Sequence, residues 1–473
     1  MVMGELTQET DVLVIGSGPG GYAAAFRAAD LGLDVTMVDL EERPGGVCLF
    51  RGCIPSKTLL YVTELLHDAQ RAAEMGITFG EPKVDLDKLR EWKNKVIDKL
   101  ADGLVELSNK RGVQRLKGRA VFESSSVARL HGVEISRIKF RHAIIASGSH
   151  ALTLPGLDFK QSGRVMGSTG ALQLADIPAR LLVVGGGYVG VELGSVYATL
   201  GSRVTMVEGN KRLMTGADAD LAQPLNRRLA DLFEAIHLDT RVKGLAERGN
   251  EVEATFEGEA GKPVQTFDRV LIAIGRRPSS KNLGLENTEV TLDDRGFVIV
   301  DDQRRTADPN IFAVGDVVGG AMLAHKAMHE GRVAAEVISG EKSAFDVRAI
   351  PAVVYTDPQI AWCGLTETEA KKQGRLVTVT RFPWSASGRA ASMGVKGMTK
   401  MIVDPETRRV LGVGIVGREA GEMISEGVLA VEMGALADDV ALSIHPHPTL
   451  SEGEEEAAEA FLGSPTHVLP PKK

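Results

Sequence analysis

Asp11-Val12-Leu13-Val14-Ile15-Gly16-Ser17-Gly18-Pro19-Gly20-Gly21 decides how the first part of this chain folds. A short β-branched run ends in closely spaced glycines, and the stretch from Tyr22 to Leu31 behind it reads as helix. Strand, glycine turn and helix in that order bring free backbone N–H groups and a helix N-terminus to one point, where an anion is favoured. Gly16, Gly18 and Gly21 let a pyrophosphate come close to the backbone. A second run, Val35-Thr36-Met37-Val38-Asp39, ends in an acid about twenty residues beyond the glycines and completes a dinucleotide fingerprint. Asp39 is placed to take the ribose hydroxyls.

The same unit returns at Arg180-Leu181-Leu182-Val183-Val184, then Gly185-Gly186-Gly187-Tyr188-Val189-Gly190, a helix through Leu200, and Val204-Thr205-Met206-Val207-Glu208. Gly185, Gly187, Gly190 and Glu208 stand where Gly16, Gly18, Gly21 and Asp39 stand in the first copy. One chain therefore carries two dinucleotide sites. At 473 residues it exceeds one hydrophobic core and divides into about three domains.

Outward from the first fingerprint lies Gly45-Gly46-Val47-Cys48-Leu49-Phe50-Arg51-Gly52-Cys53-Ile54-Pro55-Ser56-Lys57. With three cysteines in the whole chain, Cys48 and Cys53 are not part of a disulfide framework, and no further pair completes a zinc set. A bridge closing so short a loop removes little chain entropy. A redox role explains the pair better than a structural one, and Lys57 brings a cation that favours thiolate over thiol.

A net charge of −8 without a clustered excess of Lys and Arg speaks against a nucleic-acid surface. No apolar run reaches the roughly 18 residues needed to span a bilayer, and Met1-Val2-Met3-Gly4-Glu5-Leu6-Thr7 lacks a basic segment followed by an apolar one. A cytoplasmic protein with no membrane partner is expected, its redox pair suited to a reducing compartment. Val84 to Asn109 has apolar residues at helical spacing (Leu86, Leu89, Val96, Leu100, Leu104, Leu107) and reads as a long surface helix. Strands closed by Gly148 and Gly275 mark the exits from the two nucleotide units, and Asn310 to Asp316 is a third strand closed by Gly315 and Asp316.

From Pro351 onward the pattern changes to hairpins without a nucleotide fingerprint. Near its end, Ser443-Ile444-His445-Pro446-His447-Pro448-Thr449-Leu450-Ser451-Glu452 pairs a histidine with an acid five residues on, the arrangement of an oriented base, although a structural histidine fits as well. A cis bond before Pro448 is one of the two conformations open there. Glu454-Glu455-Glu456 reads as solvated helix surface, Cys363 as an inert core thiol, and no metal site is expected.

Together these residues resemble the pyridine nucleotide–disulfide oxidoreductases from Asp11 to about Phe461. The resemblance implies an α/β fold with two Rossmann-like dinucleotide-binding domains plus a C-terminal α+β dimerisation domain. Its implied division is 1–150 (first part of an FAD domain), 151–277 (NAD domain), 278–348 (completing the FAD domain) and 349–473 (interface). It places FAD on the first fingerprint and NAD on the second, with Gly148, Gly275, Gly315 and Asp316 against the cofactors. It makes Cys48–Cys53 a redox disulfide, with Cys48 the interchange sulfur and Cys53 the flavin-facing one, and pairs Lys57 with Glu192 beside the flavin. It also makes His447 and Glu452 the base of the partner subunit in a homodimer. The implied reaction oxidises a dihydrolipoyl group carried on the lipoyl domain of a 2-oxo acid dehydrogenase or glycine cleavage complex and passes hydride to NAD.

Three positions depart from the family pattern. Phe50-Arg51 replaces a common Asn-Val and places a ring and a cation between the sulfurs, Ser147-Gly148-Ser149-His150-Ala151 replaces Thr-Gly-Ser-x-Pro, and Pro446 stands between the histidines. Glutathione reductase and mercuric reductase are the rival readings. The first would need cations for a 2′-phosphate where Glu208 stands. The second would need a cysteine pair near the C-terminus, and none follows Cys363.

Overall fold

The computed structural model describes residues 7–132, 134–159 and 163–470. The opening Met1 to Leu6, read above for a leader, lies outside them. Strand Thr7–Ile15, with Val12, Leu13 and Val14 wholly buried, is central in the first sheet. It runs parallel to Val35–Asp39 on one side and Arg137–Ile145 on the other, and Gln114–Lys117 and Ile311–Ala313 extend the parallel set at either side. The return of Ile311–Ala313 to this sheet brings Gly315 and Asp316 beside the first glycine turn. Helix Pro19–Asp30 buries Ala24, Ala25 and Ala28 and packs on helix Ala324–Ile338. The approach is so close that a Cβ on Gly331 would stand 2.3 Å from the Gly20 carbonyl oxygen.

The second sheet is wholly parallel, in the order Ala235–His237, Arg203–Val207, Arg180–Val184, Arg269–Ile272, Val165–Met166. An antiparallel layer of Arg241–Arg248, Glu251–Glu257 and Val264–Phe267 covers one face. The two exits pair with each other, Ser149–Ala151 running antiparallel to Arg276–Pro278. The C-terminal unit is a five-stranded antiparallel sheet carrying helices Ala420–Met433 and Glu452–Leu462. Its core centres on Phe382, Trp384, Met401, Val413 and Ile415. The whole is the expected α/β architecture, two Rossmann-like units followed by an α+β unit.

Two sequence expectations need correction. The long helix exists, at Leu86–Lys110, but its inner face is Leu89, Lys93, Ile97, Ala101 and Ser108, while Leu100 and Leu107 face solvent. The helix turns toward the small cluster of Leu49, Ile97 and Ala101 behind the cysteines, so shape at that contact outweighs the longer apolar row. The acidic run is not solvated either: Glu454 and Glu456 are buried at 1% and 5% exposure. Helix Glu452–Leu462 lies on strands Thr378–Pro383 and Met398–Val403 and presses this face inward. Glu456 there accepts from the His467 backbone N–H and ring. Burial, reinforced by nearby Glu426, raises the Glu454 carboxyl well above the usual range, with the His445 charge opposing. Cys363 is a buried core thiol, its pKa pushed up to about 12 by burial.

Candidate active site

A cleft of about 520 Å³ collects Gly16, Gly18, Asp39, Cys48, Cys53, Lys57, Gly148, Glu192, Gly315 and Asp316 on its wall. Gly21 is not on that wall. A Cβ there would fall 1.9 Å from the Gly16 carbonyl oxygen, so Gly21 keeps the helix against the turn. Asp39 accepts from the Ser17 N–H at 2.6 Å, the Ser17 hydroxyl at 2.9 Å and the Glu41 N–H at 2.8 Å, which aims its carboxylate at the cleft edge. Gly18 and Gly46 face each other across the turn, and a Cβ on Gly46 would come within 2.6 Å of the Gly18 Cα. Ser149 joins the two exits to the far wall: its hydroxyl donates to Asp316 at 2.5 Å and accepts from Arg276 at 2.6 Å.

Cys48 lies in the short helix Gly46–Arg51, and Cys53 opens the long helix Cys53–Arg71, with Gly52 between. A thiolate at that helix start meets unpaired N–H groups and the positive end of the dipole. The two sulfurs lie within hydrogen-bond reach of each other, both half-buried. The hydrogen bond from Cys48 is the main cause that lowers Cys53 to about 7, burial opposing and Lys57 assisting. The same hydrogen bond, with burial, pushes Cys48 far upward. With both sulfurs reduced, the hydrogen bond and Lys57 thus favour the negative charge on Cys53 over Cys48.

Lys57 lies one turn further along that helix. Its Nζ is 2.8 and 3.0 Å from the two carboxylate oxygens of Glu192, a buried side chain of helix Tyr188–Thr199. Burial disfavours the ammonium, but Glu192 outweighs it and holds Lys57 above the ordinary lysine value. Of the residues between the sulfurs, Phe50 packs away from the cleft on Leu49, Ile97 and Ala101 under the Arg43 guanidinium. Arg51 stays on the cleft wall with Cys48 and Cys53, where it pairs with Glu41.

A second cleft of about 500 Å³ is lined by Gly185, Gly187, Glu208 and Gly275. Gly190, like Gly21, serves packing instead, since its Cβ would lie 1.9 Å from the Gly185 carbonyl oxygen. Glu208 accepts from the Gly186 N–H at 2.6 Å and from the Asn210 N–H at 2.8 Å. Arg212 spends its guanidinium on the Thr215 and Ala217 carbonyls within the loop, leaving it turned to the chain and not to the cleft. Ser168, Tyr188, Val189 and Arg276 line both clefts.

His447 and Glu452 are brought together but border neither cleft. His447 Nδ1 is 2.8 Å from Glu452 Oε1, and Glu452 Oε2 accepts from the Thr449 N–H at 2.7 Å. Burial would raise Glu452, but the Thr449 N–H and His447 hold it below the usual range. The bond before Pro448 is cis. His445, beside it, is a built-in structural group: Glu426 at 2.7 Å is the chief cause raising it to about 9, against burial. Ser147, on the wall of the first cleft, and Tyr355, against Lys57 and Glu192, were not assigned from sequence. Ser147 stood in a motif noted only as a departure from the family pattern, and Tyr355 stood in no motif.

The model of the pyridine nucleotide-disulphide oxidoreductases matches residues 10–331, and that of their dimerisation domain matches residues 350–458. The chain belongs to this family. Among its relatives, a dihydrolipoyl dehydrogenase of Vibrio cholerae is 46% identical over 97% of this chain and 97% of its own length. One from Bacillus subtilis is 44% identical over 99% and 100%. Among solved members, LpdA from Mycobacterium tuberculosis superposes with a TM-score of 0.87 at 26% identity, covering 95% of this chain and 99% of that one. The HOCl-induced flavoprotein disulfide reductase RclA of Escherichia coli gives 0.83 at 28% identity, covering 95% and 99%.

Proposed function

We infer that this chain oxidises protein-bound dihydrolipoamide to lipoamide with FAD and NAD. The observation that carries the reading is the Cys48/Cys53 pair opening on the same cleft as the first fingerprint, with a second nucleotide cleft sharing its wall. The residues of the first cleft fit FAD. Gly18 and Gly46 leave a cradle that a Cβ would fill, and the buried Ser147 hydroxyl on the wall has no hydrogen-bond partner among the described residues. Gly16, Gly18, Asp39, Gly148, Gly315 and Asp316 would hold it, with Lys57 and Glu192 at the reactive end. Gly185, Gly187, Glu208 and Gly275 would hold NAD.

In the oxidised protein, His447 Nε2 takes a proton from the dihydrolipoyl dithiol, and Glu452 keeps Nδ1–H oriented and supports the imidazolium. The substrate thiolate attacks Cys48 Sγ, the Cys48–Cys53 bond breaks, and Cys53 leaves as thiolate. The second substrate sulfur then attacks the first, closing lipoamide and releasing Cys48, which receives a proton. Lys57 and the helix start stabilise the Cys53 charge. FAD held by these residues would supply the two-electron chemistry that links re-formation of the Cys48–Cys53 bond, with loss of the Cys48 proton, to hydride transfer to NAD.

The family's dimerisation domain supports a homodimer, and Leu429, Met433, Leu442 and Ile444 expose apolar surface on this unit. His447 projects outward with them and serves the cysteines of the second subunit. We assign 1–150 with 278–348 to the FAD domain, 151–277 to the NAD domain and 349–473 to the interface, which the membership of strands in sheets supports. The partner is the lipoyl domain of a 2-oxo acid dehydrogenase or glycine cleavage complex, and the setting is the cytoplasm. No helix among the described residues is long and apolar enough to cross a membrane. Steady-state assays offering dihydrolipoamide or glutathione, with NAD or NADP, test the reading. Turnover is expected with dihydrolipoamide and NAD. Reduction of glutathione disulfide by NADPH in its place would overturn it.

A further inference from the structure

We propose that Tyr355 is a positioning residue for the Lys57–Glu192 pair, its ring face holding the Lys57 ammonium and its backbone N–H holding the Glu192 carboxylate. The proposal rests on the redox reading of Cys53 above and adds to it a control exerted from the C-terminal unit. Three parts of the chain meet here. Lys57 comes from the helix that Cys53 opens, Glu192 from the helix after the second fingerprint, and Tyr355 from the residue following strand Ala352–Val354 of the C-terminal sheet.

Lys57 Nζ lies 4.7 Å from the centre of the Tyr355 ring, and the Tyr355 N–H donates to Glu192 Oε1 at 3.0 Å. The two Glu192 oxygens at 2.8 and 3.0 Å take up part of the ammonium's donor capacity, and the electron-rich ring face meets another side of the same charge. Glu192 in turn is buried and needs more than one donor to stay ionised. A single residue thus touches both members of the ion pair, through different atoms.

The segment carrying Tyr355 is tied down independently of that contact. The Thr356 hydroxyl donates to the Pro358 carbonyl at 2.7 Å, and Asp357 lies 3.2 Å from the His67 ring and 3.7 Å from Arg71. His67 and Arg71 belong to the same helix as Lys57, so ring and ammonium are referred to one rigid element. Lys57 is among the causes that lower the Cys53 pKa. Releasing the ammonium from the ring therefore weakens its hold on the Cys53 charge.

The test compares Tyr355→Leu with Tyr355→Phe in the holoenzyme. The quantity read is the pH at which the long-wavelength thiolate-to-flavin absorbance of the two-electron-reduced protein is half developed. Tyr355→Leu is expected to move this midpoint upward by about half to one unit, and Tyr355→Phe, which keeps the ring face, to leave it in place. A Leu variant that titrates with the unmodified protein overturns the proposal. So does a Phe variant that shifts as far as Leu, since the phenol hydroxyl and not the ring would then be the agent. Flavin content and melting temperature check folding, and Tyr355→Met removes the ring in the same way should Leu fail that check. Because the readout is the thiolate's titration, it is separate from turnover with dihydrolipoamide, whose absence would sink the assigned reaction and leave the contrast between Leu and Phe to decide this one.

Discussion

His447 Nδ1 is bound to Glu452 Oε1 at 2.8 Å, yet the imidazole is 72% exposed and borders neither cleft of its own chain. The proposed reading makes this imidazole the base for the cysteines of a second subunit. His447→Gln should lower kcat for dihydrolipoamide oxidation by about a hundred- to ten-thousand-fold while leaving NADH-driven reduction of an artificial acceptor nearly intact. Mixing that variant with Cys48→Ser under subunit exchange should restore activity through hybrid dimers with one complete site. Exchange shown by mass spectrometry without recovered activity would refute the shared site.

The two cysteines should separate cleanly. Cys53→Ser is expected to abolish the long-wavelength absorbance of the reduced protein, and Cys48→Ser to stop turnover but keep it. In the unmodified protein the band should grow as pH rises through about 7, because Cys53 is lowered to that value. Removing the Cys48 donor removes the largest cause of the lowering, so the midpoint should move upward in Cys48→Ala, which leaves no donor at that position. An unmoved midpoint would show that Lys57, not Cys48, sets it.

Glu208 ends its strand at the second cleft, where a carboxylate meets the ribose hydroxyls of NAD and repels an NADP phosphate. The specificity constants should differ by orders of magnitude. Glu208→Gln should narrow the gap mainly by weakening NAD. With Arg212 occupied by two loop carbonyls, the exposed cations left near Glu208 are Lys211 and, on the cleft wall, Arg241, and exposed ion pairs contribute at most about 1 kcal/mol. Equal constants for the two nicotinamides would show that Glu208 faces elsewhere.

Lys400, 1% exposed, joins the C-terminal sheet to the NAD unit through Asp218 at 2.7 Å and Asp220 at 2.8 Å. Lys400→Met should destabilise the protein by about 3–5 kcal/mol, read by chemical denaturation, because it leaves buried Asp218 without its counter-charge. Burial alone would raise Asp218, but Lys400 and Thr368 hold it down at about 2. A lowered carboxylate contributes stability above its unfolded value, near 3.8, and loses it as pH falls through about 2. The difference between Lys400→Met and the unmodified protein should therefore shrink in strong acid.

Both fingerprints were legible because a glycine turn, a helix start and a terminal acid are local in sequence and are fixed by the shape of the phosphate they admit. The Lys57–Glu192 contact came from the family likeness, and no spacing rule would reach across so long a stretch. What escaped depends on which surface packs on which. Glu454 looked solvated until its helix was laid on strands Thr378–Pro383 and Met398–Val403, and Leu100 looked buried until the helix rolled toward Ile97 and Ala101. Phe50 looked obstructive because sequence shows that it lies between the sulfurs but not that its ring packs away from them, whereas Arg51 does stay on the cleft wall. Tyr355 sat in no pattern at all, since its chemistry exists only where three separate units meet.

Cys48 and Cys53 line only one of two clefts that have Ser168, Tyr188, Val189 and Arg276 in common. On the proposed reading FAD fills the first cleft beside the cysteines and NAD the second, so thiol exchange and hydride transfer have separate rooms and one product can depart before the other reactant arrives. Parallel double-reciprocal plots, the mark of ping-pong exchange, are what such a plan of rooms produces.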